Sequence, residues 1–465
     1  MRFALVAALA LAFAANANAF TKQDAKVTMD DGVQLATTLY LPDGTQPTAG
    51  WPGVIMLHGL GGNRLGMNLL AQTYFVNQGY AVLTYDVRGH GDSGGFVTVA
   101  GPREIADLRA LEAQFAARPD VDDLHIGAWG ISYGGGQAWL GAVRGIPFAA
   151  IELCQTWTDL YTSLFPNGVP KSGIVGGLLN TIPAGKLSPD FSWVPNAAIL
   201  GTDLPRLAAL SAERSALPLV SNLSTPTLML QGRRDFVFDN TQAIQAFNRL
   251  KGPKLLYFGD HGHAPSTFPA PDTDYAMTLS RRWFDRFLRG QANGVDTGPK
   301  LMIAPDPWKG QPAGFQRWPL TTSRTYPLPG PARTLGWEAH LTRVAGRTAT
   351  KLEDIGTPVV QVRATTTGGW SRLVAELVAT TRTGKEIVVS GGAVRTSDGS
   401  HTYSFHLMSQ ITAIPAGSRL SVIFGSNTSN TPAGLLYLDL PTIGTPTIRI
   451  GAADVKLTLL RKPVS

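Results

Sequence analysis

The sequence predicts a mostly parallel α/β sheet with helices on both faces, followed by a separate all-β half. Three observations carry this reading. Short apolar runs alternate with helix-length amphipathic segments from about residue 53 to 288, the pattern of a parallel sheet whose crossovers cover both faces. From roughly Gly298 the texture becomes short alternating runs separated by Gly, Pro, Ser and Asn, and helix signals nearly vanish. Such a half folds as an antiparallel β-sandwich or jelly roll. The chain has 465 residues, too many for one ordinary domain and enough for two.

The elements follow in order. Arg2, the apolar stretch Phe3 to Ala15 and the small-x-small tripeptide Ala17-Asn18-Ala19 read as a secretory signal peptide over residues 1–19. Export to the periplasm or the extracellular space is the expectation. The apolar stretch is too short to span a bilayer, and no later segment is long and apolar enough. Val27 to Pro42 alternates around Asp31-Gly32 and predicts a hairpin. Strands follow at 53–57, 81–85, 125–129, 149–154, 226–230 and 254–258, with helices at 67–78, 103–117, 135–143, 241–250 and 275–288. In the last helix Leu279, Trp283, Phe284, Phe287 and Leu288 share one face, and Gly290 stops it.

Residues 155–221 interrupt the alternation with Trp157, Tyr161, Phe165, Phe191 and Trp193 among Pro and Gly. An insertion at the carboxyl end of a parallel sheet lies over the active site. It is read as a helical cap, with Trp157, Tyr161 and Phe165 as substrate-binding candidates. The organisation is therefore a catalytic domain at 20–295 and a β domain at 296–465. Within the β domain, strands are expected near 358–364, 385–390, 402–407, 419–424 and 447–450.

Composition excludes several function classes. Hydrophobic residues make up 44% and charged residues 16%, so the chain folds. The net charge of +7 comes from scattered side chains with no basic block, which argues against nucleic-acid binding. No C-x-x-C, H-E-x-x-H or P-loop pattern occurs, so no metal and no cofactor is expected. The single cysteine, Cys154, cannot form an intramolecular disulfide and reads as a buried strand-end residue.

The chemistry centres on Gly130-Ile131-Ser132-Tyr133-Gly134. A serine at the tip of a sharp strand-to-helix turn crowds the residues two before and two after it, so both favour glycine. A nucleophilic serine needs a base and an orienting acid, which in this layout come later, in the order acid then histidine. The strand 226–230 runs into Gln231-Gly232-Arg233-Arg234-Asp235, making Asp235 the acid, with Asp239 as the alternative. The strand 254–258 runs into Gly259-Asp260-His261-Gly262-His263. His263 is preferred because it lies further from the strand end, where the loop can fold back; His261 is the runner-up. For the oxyanion hole, the amide of Tyr133 and that of Leu60, in His58-Gly59-Leu60-Gly61-Gly62, are the donors. His58 is read as structural. Gly91-Asp92-Ser93-Gly94-Gly95 spells the serine signature of trypsin-like proteases, but it sits in the α/β half, and Ser93 is rejected.

These residues resemble the α/β-hydrolase superfamily, and within it the group containing cocaine esterase and the X-Pro dipeptidyl-peptidases. The similarity rests on Met29 to Leu35 with Leu39 to Pro42, on Tyr85 to Ser93, on Gly130 to Gly135, and on Gly259 to His263. Trp318-Pro319 with Thr325 to Leu328 resembles the start of that group's C-terminal jelly-roll domain. The resemblance implies an α/β-hydrolase fold with a helical cap and a jelly roll, and independently favours His263. One departure concerns the tyrosine that cocaine esterase carries in its oxyanion hole. Here His58-Gly59-Leu60 stands instead, implying an all-backbone hole, and no feature identifies a pocket for a free amino terminus.

The expected function is a secreted serine hydrolase cleaving carboxylic esters, with a small-molecule ester or peptide as substrate. A peptidase or amidase of X-Pro dipeptidyl-peptidase type is the alternative. A non-catalytic protein that binds through its β domain is the third reading.

Overall fold

Aliphatic and β-branched runs build the first sheet of the computed structural model, which describes residues 20–465. The leader read at residues 1–19 lies outside the described residues. In chain order the first part comprises β1 (Phe20–Thr28), β2 (Gln34–Pro42), β3 (Trp51–Leu57), α1 (Asn68–Tyr74), β4 (Ala81–Tyr85), α2 (Pro102–Ala116), β5 (Val121–Ile131), α3 (Tyr133–Val143) and β6 (Ala150–Cys154). Cap helices α4 (Leu160–Leu164), α5 (Ser172–Thr181), α6 (Val194–Leu200) and α7 (Leu204–Ala212) come next. Then follow β7 (Thr227–Gly232), α8 (Asn240–Arg249), β8 (Lys254–Gly259), α9 (Ala270–Leu288), β9 (Leu301–Ile303) and β10 (Ala313–Phe315).

The ten strands form one sheet in the order β1-β2-β4-β3-β5-β6-β7-β8-β9-β10. Pairing is parallel from β4 through β9 and antiparallel at both edges. Strands β4, β6 and β7 are buried along their whole length, as expected where helices cover both faces. One face packs on Ile105, Leu108, Leu111 and Phe115 of α2 and on α3 and α8. The other packs on Ala276, Leu279, Trp283, Phe284 and Leu288 of α9, a stripe at helical spacing. The single helix expected over 67–78 is broken. Phe75 leaves helical angles at φ −126°, and Val76–Gln78 continues as a short 3-10 turn. The break lets Phe75 and Val76 both reach the core.

The remainder is all β: β11 (Thr321–Pro327), β12 (Arg333–Gly336), β13 (Leu341–Arg347), β14 (Leu352–Gly356), β15 (Val359–Thr367), β16 (Arg372–Thr380), β17 (Glu386–Arg395), β18 (Gly399–His406), β19 (Gln410–Ile414), β20 (Arg419–Gly425) and β21 (Thr447–Leu460). A seven-stranded sheet organised around β21 faces the four-stranded sheet β13-β20-β16-β17. Val360, Val362 and Leu457 from one sheet meet Leu373, Leu377 and Val422 from the other in a shared core. The molecule is thus an α/β-hydrolase fold with a helical cap and a C-terminal jelly-roll-like sandwich. Strands β9 and β10, beyond the sequence boundary at 295/296, extend the large sheet. Among the described residues, no helix is long and apolar enough to cross a membrane.

Sheet order places the site. The chain leaves β3 toward β4 on one side and returns to β5 on the other. The loops after β3 and β5 therefore open into the same crevice, the usual ligand position in such sheets.

Candidate active site

Leu57 and Gly130 are register partners at the ends of β3 and β5, and Ser132 follows at the tip of the next turn. Ser132 has φ 54° and ψ −115°, a region that a non-glycine residue occupies only when its surroundings hold it. Three backbone contacts hold it: its amide donates to the Cys154 carbonyl (2.8 Å), while its carbonyl accepts from the Thr156 hydroxyl (2.7 Å) and the Gly136 amide (3.0 Å). The flanking glycines are sterically required. A Cβ at Gly130 would lie 2.3 Å from the Gly134 carbonyl oxygen, and one at Gly134 would lie 2.2 Å from the Leu57 oxygen.

His263 Nε2 lies 3.1 Å from Ser132 Oγ, and its Nδ1 lies 2.7 Å from Asp235 Oδ2. Asp235 is fully buried. Its Oδ1 accepts the Val237 and Phe238 amides, both at 2.9 Å. These contacts fix the carboxylate against the imidazole, with Nδ1–H donating to Asp235 and Nε2 left to accept from the serine. His261, by contrast, turns the other way and bonds Asp272 Oδ2 through Nδ1 at 3.0 Å. Asp239 caps α8, accepting from the Thr241 amide (3.0 Å), and also accepts from the Ser409 amide (3.0 Å). Neither alternative reaches the serine. Ser93 is buried, donates to the Asp86 carbonyl (2.6 Å) and accepts the Ala36 amide (2.9 Å).

The glycine-rich loop after β3 passes close to Ser132: a Cβ at Gly59 would stand in van der Waals contact, 3.7 Å from Ser132 Cβ. His58 supports this loop from below, with Nδ1 at 2.8 Å from the Gly59 carbonyl and Nε2 accepting the Val87 amide at 3.0 Å. Burial pushes the His58 pKa down to about 4, so the ring is neutral at pH 7 and the two bonds assign its tautomer. The Tyr133 hydroxyl points away from the cleft. It donates to Glu104 Oε2 (2.5 Å) and accepts the Ala100 amide (3.0 Å). Burial raises the Glu104 pKa. Its carboxylate also takes the Thr98 amide (2.6 Å), clamping Val99 and Ala100 at φ 56° and 54°. Sequence reading missed this Tyr133–Glu104 anchor, because no local pattern joins two residues 29 positions apart.

A cavity of about 100 Å³ opens beside Ser132, with Leu60, Tyr133, Trp157 and Phe238 around its base and cap helices above. Of the three aromatic candidates, Trp157 and Phe165 line it. Tyr161 does not; it stacks on Phe165 with ring centroids 5.1 Å apart, a neighbour of the wall rather than the wall itself. Lys171, at the foot of α5, is buried and donates to the Phe236 (2.8 Å) and Val237 (2.6 Å) carbonyls, tying the cap to the acid loop. Burial lowers its pKa to about 8. A lone lysine after a proline gave no sequence signal for this.

Comparison with known proteins finds likenesses of sequence and of fold. Residues 31–182 match the X-Pro dipeptidyl-peptidase (S15) family. The chain is 31% identical over 138 residues to the quorum-quenching protein AidA of Acinetobacter baumannii, covering 28% of this chain and 43% of that protein. It is 25% identical over 364 residues to the cocaine esterase of a Rhodococcus species, covering 65% of this chain and 61% of that one. The matches thus span less than two thirds of either relative. A CocE/NonD family hydrolase from Staphylococcus aureus superposes with a TM-score of 0.72 at 16% identity, over 95% of this chain and 94% of that one, a likeness of fold. Together these findings show the α/β-hydrolase fold and a likeness, over residues 31–182, to the X-Pro dipeptidyl-peptidase (S15) family.

Proposed function

We propose that this protein hydrolyses carboxylic esters through an acyl-enzyme on Ser132. The observation that carries the reading is the His263 bridge between Ser132 Oγ at 3.1 Å and Asp235 at 2.7 Å. His263 Nε2 takes the serine proton as Oγ attacks the ester carbonyl. Asp235 holds the tautomer and stabilises the imidazolium that forms. The amides of Tyr133 and Leu60 receive the oxyanion, an interaction that removal of one donor typically reveals as a 10²–10³-fold loss. His263 then protonates the departing alkoxide, and water, deprotonated by the same ring, releases the acid and restores the serine.

The family match favours a second reading, cleavage of X-Pro peptides. Against it, no carboxylate is found among the cavity-lining side chains described, so a free ammonium would enter the cleft without a counter-charge. Ester hydrolysis therefore leads. The signal-like segment at 1–19 supports export, which fractionation of the producing cell tests directly. For the reaction, a fluorophosphonate probe should label the wild type and not Ser132→Ala. 4-Nitrophenyl esters should be turned over far faster than Ala-Pro or Gly-Pro anilides. Absence of labelling sinks the catalytic reading, and a preference for the anilides reverses the order of the two substrates.

A further inference from the structure

Resting on the ester-hydrolase reading, we propose that the acyl half of the substrate is an aliphatic chain that enters the cap cavity. Two independent features lead there. The first is chemical. Beyond Ser132 the walls are supplied by Phe165, Val175, Leu179, Val194, Ala198 and Leu207. The one charged side chain in the lining, Arg214, has no free nitrogen to offer. Its Nε and Nη2 donate to the Thr98 carbonyl at 3.2 and 3.0 Å, and its Nη1 donates to the Leu210 carbonyl at 2.8 Å. The Tyr133 hydroxyl is committed to Glu104 and Ala100. Apart from Ser132, the uncommitted polar side chain in the lining is Ser211, so a polar or charged acyl group would lose its water here for at most that one hydroxyl, whereas methylenes gain apolar burial.

The second feature is directional. The leaving alcohol must meet His263 Nε2, because that nitrogen returns its proton. His263 does not line the cavity, whereas Ser132 and both oxyanion residues, Leu60 and Tyr133, do. With the carbonyl carbon on Ser132 Oγ and its oxygen toward Leu60 and Tyr133, the substituent directed away from His263 is the acyl chain. The alcohol is left on the open side.

The test is a series of 4-nitrophenyl esters from acetate to decanoate, set beside acetate esters of lengthening alcohols. Each methylene that enters should raise kcat/KM about fourfold, from acetate to at least hexanoate, while the alcohol series stays nearly flat. Ala198→Phe, which fills part of the cavity, should cut the hexanoate-to-acetate ratio at least tenfold. The wild-type series stands alone if that variant misfolds. A flat or acetate-peaked acyl profile, or selectivity on the alcohol side, overturns the inference. If the fluorophosphonate still labels Ser132 in that case, the hydrolase reading survives. No labelling together with no turnover refutes both.

Discussion

Replacing Glu353 by glutamine should loosen Asp235, the proposed acid of the triad, from a distance. Glu353, in β14, and Arg233, two residues before Asp235, form an ion pair in which both side chains are wholly buried. Arg233 Nη1 also donates to the Ser465 hydroxyl at 2.8 Å, and Glu353 Oε2 accepts the Val464 amide at 2.6 Å. Around this pair the sandwich grips the acid loop by its backbone. The Ile411 amide donates to the Arg233 carbonyl (2.7 Å), and Gln410 Nε2 donates to the Asp235 carbonyl (3.0 Å). Glu353→Gln keeps the shape and strands a guanidinium charge, for which the expected cost is about 3–5 kcal/mol. That is a large part of the ~5–15 kcal/mol that separates a folded domain from its unfolded chain. Because a shift of about 1 Å in a catalytic group can cost on the order of 10²-fold, kcat should also fall ten- to a hundredfold well below the melting temperature. Urea denaturation and ester turnover on the same preparation measure both. The double variant Arg233→Met with Glu353→Leu, which removes both charges, should regain most of the stability. A stability loss under about 1 kcal/mol would mean that water screens the pair. A full loss with unchanged kcat would show that the sandwich does not hold the acid loop.

Asp235→Asn should lower kcat by about 10⁴-fold with little change in KM, since the amide favours the wrong imidazole tautomer; steady-state kinetics on a 4-nitrophenyl ester check it, and a loss under tenfold removes Asp235 from the triad. Tyr133→Phe should cost about 1–3 kcal/mol by taking one hydrogen bond from the Glu104 carboxylate, which keeps the Ala100 amide at 2.9 Å and the Thr98 amide at 2.6 Å, yet leave kcat within tenfold, because the donor to the oxyanion is the backbone; a loss beyond a hundredfold contradicts an all-backbone hole. Glu152, in β6, is buried against α9 and accepts from Ser280 Oγ at 2.6 Å, and burial pushes its pKa from the ordinary 4.5 up to about 8. Its contribution to stability is full below pH 4.5, where folded and unfolded chains are both protonated. It is then lost as pH rises toward 8, at about 1.4 kcal/mol per pH unit, because the unfolded chain releases the proton first. Glu152→Gln should flatten the urea midpoint between pH 5 and 8 relative to the wild type, and parallel profiles would refute the assignment.

The parts of this molecule that were legible in sequence are those with a local physical signature. Each buried strand from β3 to β8 shows as an apolar run, and the glycines at 130 and 134 show because a Cβ there meets backbone at under 2.5 Å. Chain order alone brought Asp235 and His263 to the right strand ends. By contrast, β16 (Arg372–Thr380) was passed over. Its Leu, Ala and Glu content suits a helix, and only pairing with β17 and β20 in a buried sheet makes it a strand. β9 was likewise hidden, three residues held extended by pairing with β8 and β10. The Arg233–Glu353 pair joins positions 120 apart, and no periodicity encodes such a contact. The cap cavity was hidden for a related reason: which faces of α5, α6 and α7 turn inward depends on how three short helices pack on one another.

The two glycine-flanked serines show what separates the proposed nucleophile from a turn residue. Ser93 Oγ both donates, to the Asp86 carbonyl, and accepts, from the Ala36 amide, so its hydroxyl is consumed in holding a loop. Ser132 Oγ has His263 Nε2 as its hydrogen-bond partner among the described residues, and that partner is a base. Its backbone, however, is the more restrained of the two, since φ 54° costs of order 1–3 kcal/mol and must be held by neighbours. The restraint falls on the main chain through Cys154, Thr156 and Gly136, which leaves the side chain unencumbered. A motif of two glycines and a serine cannot distinguish these cases, because the difference lies in where the hydrogen bonds are spent. In Ser132 they fix the peptide and free the oxygen.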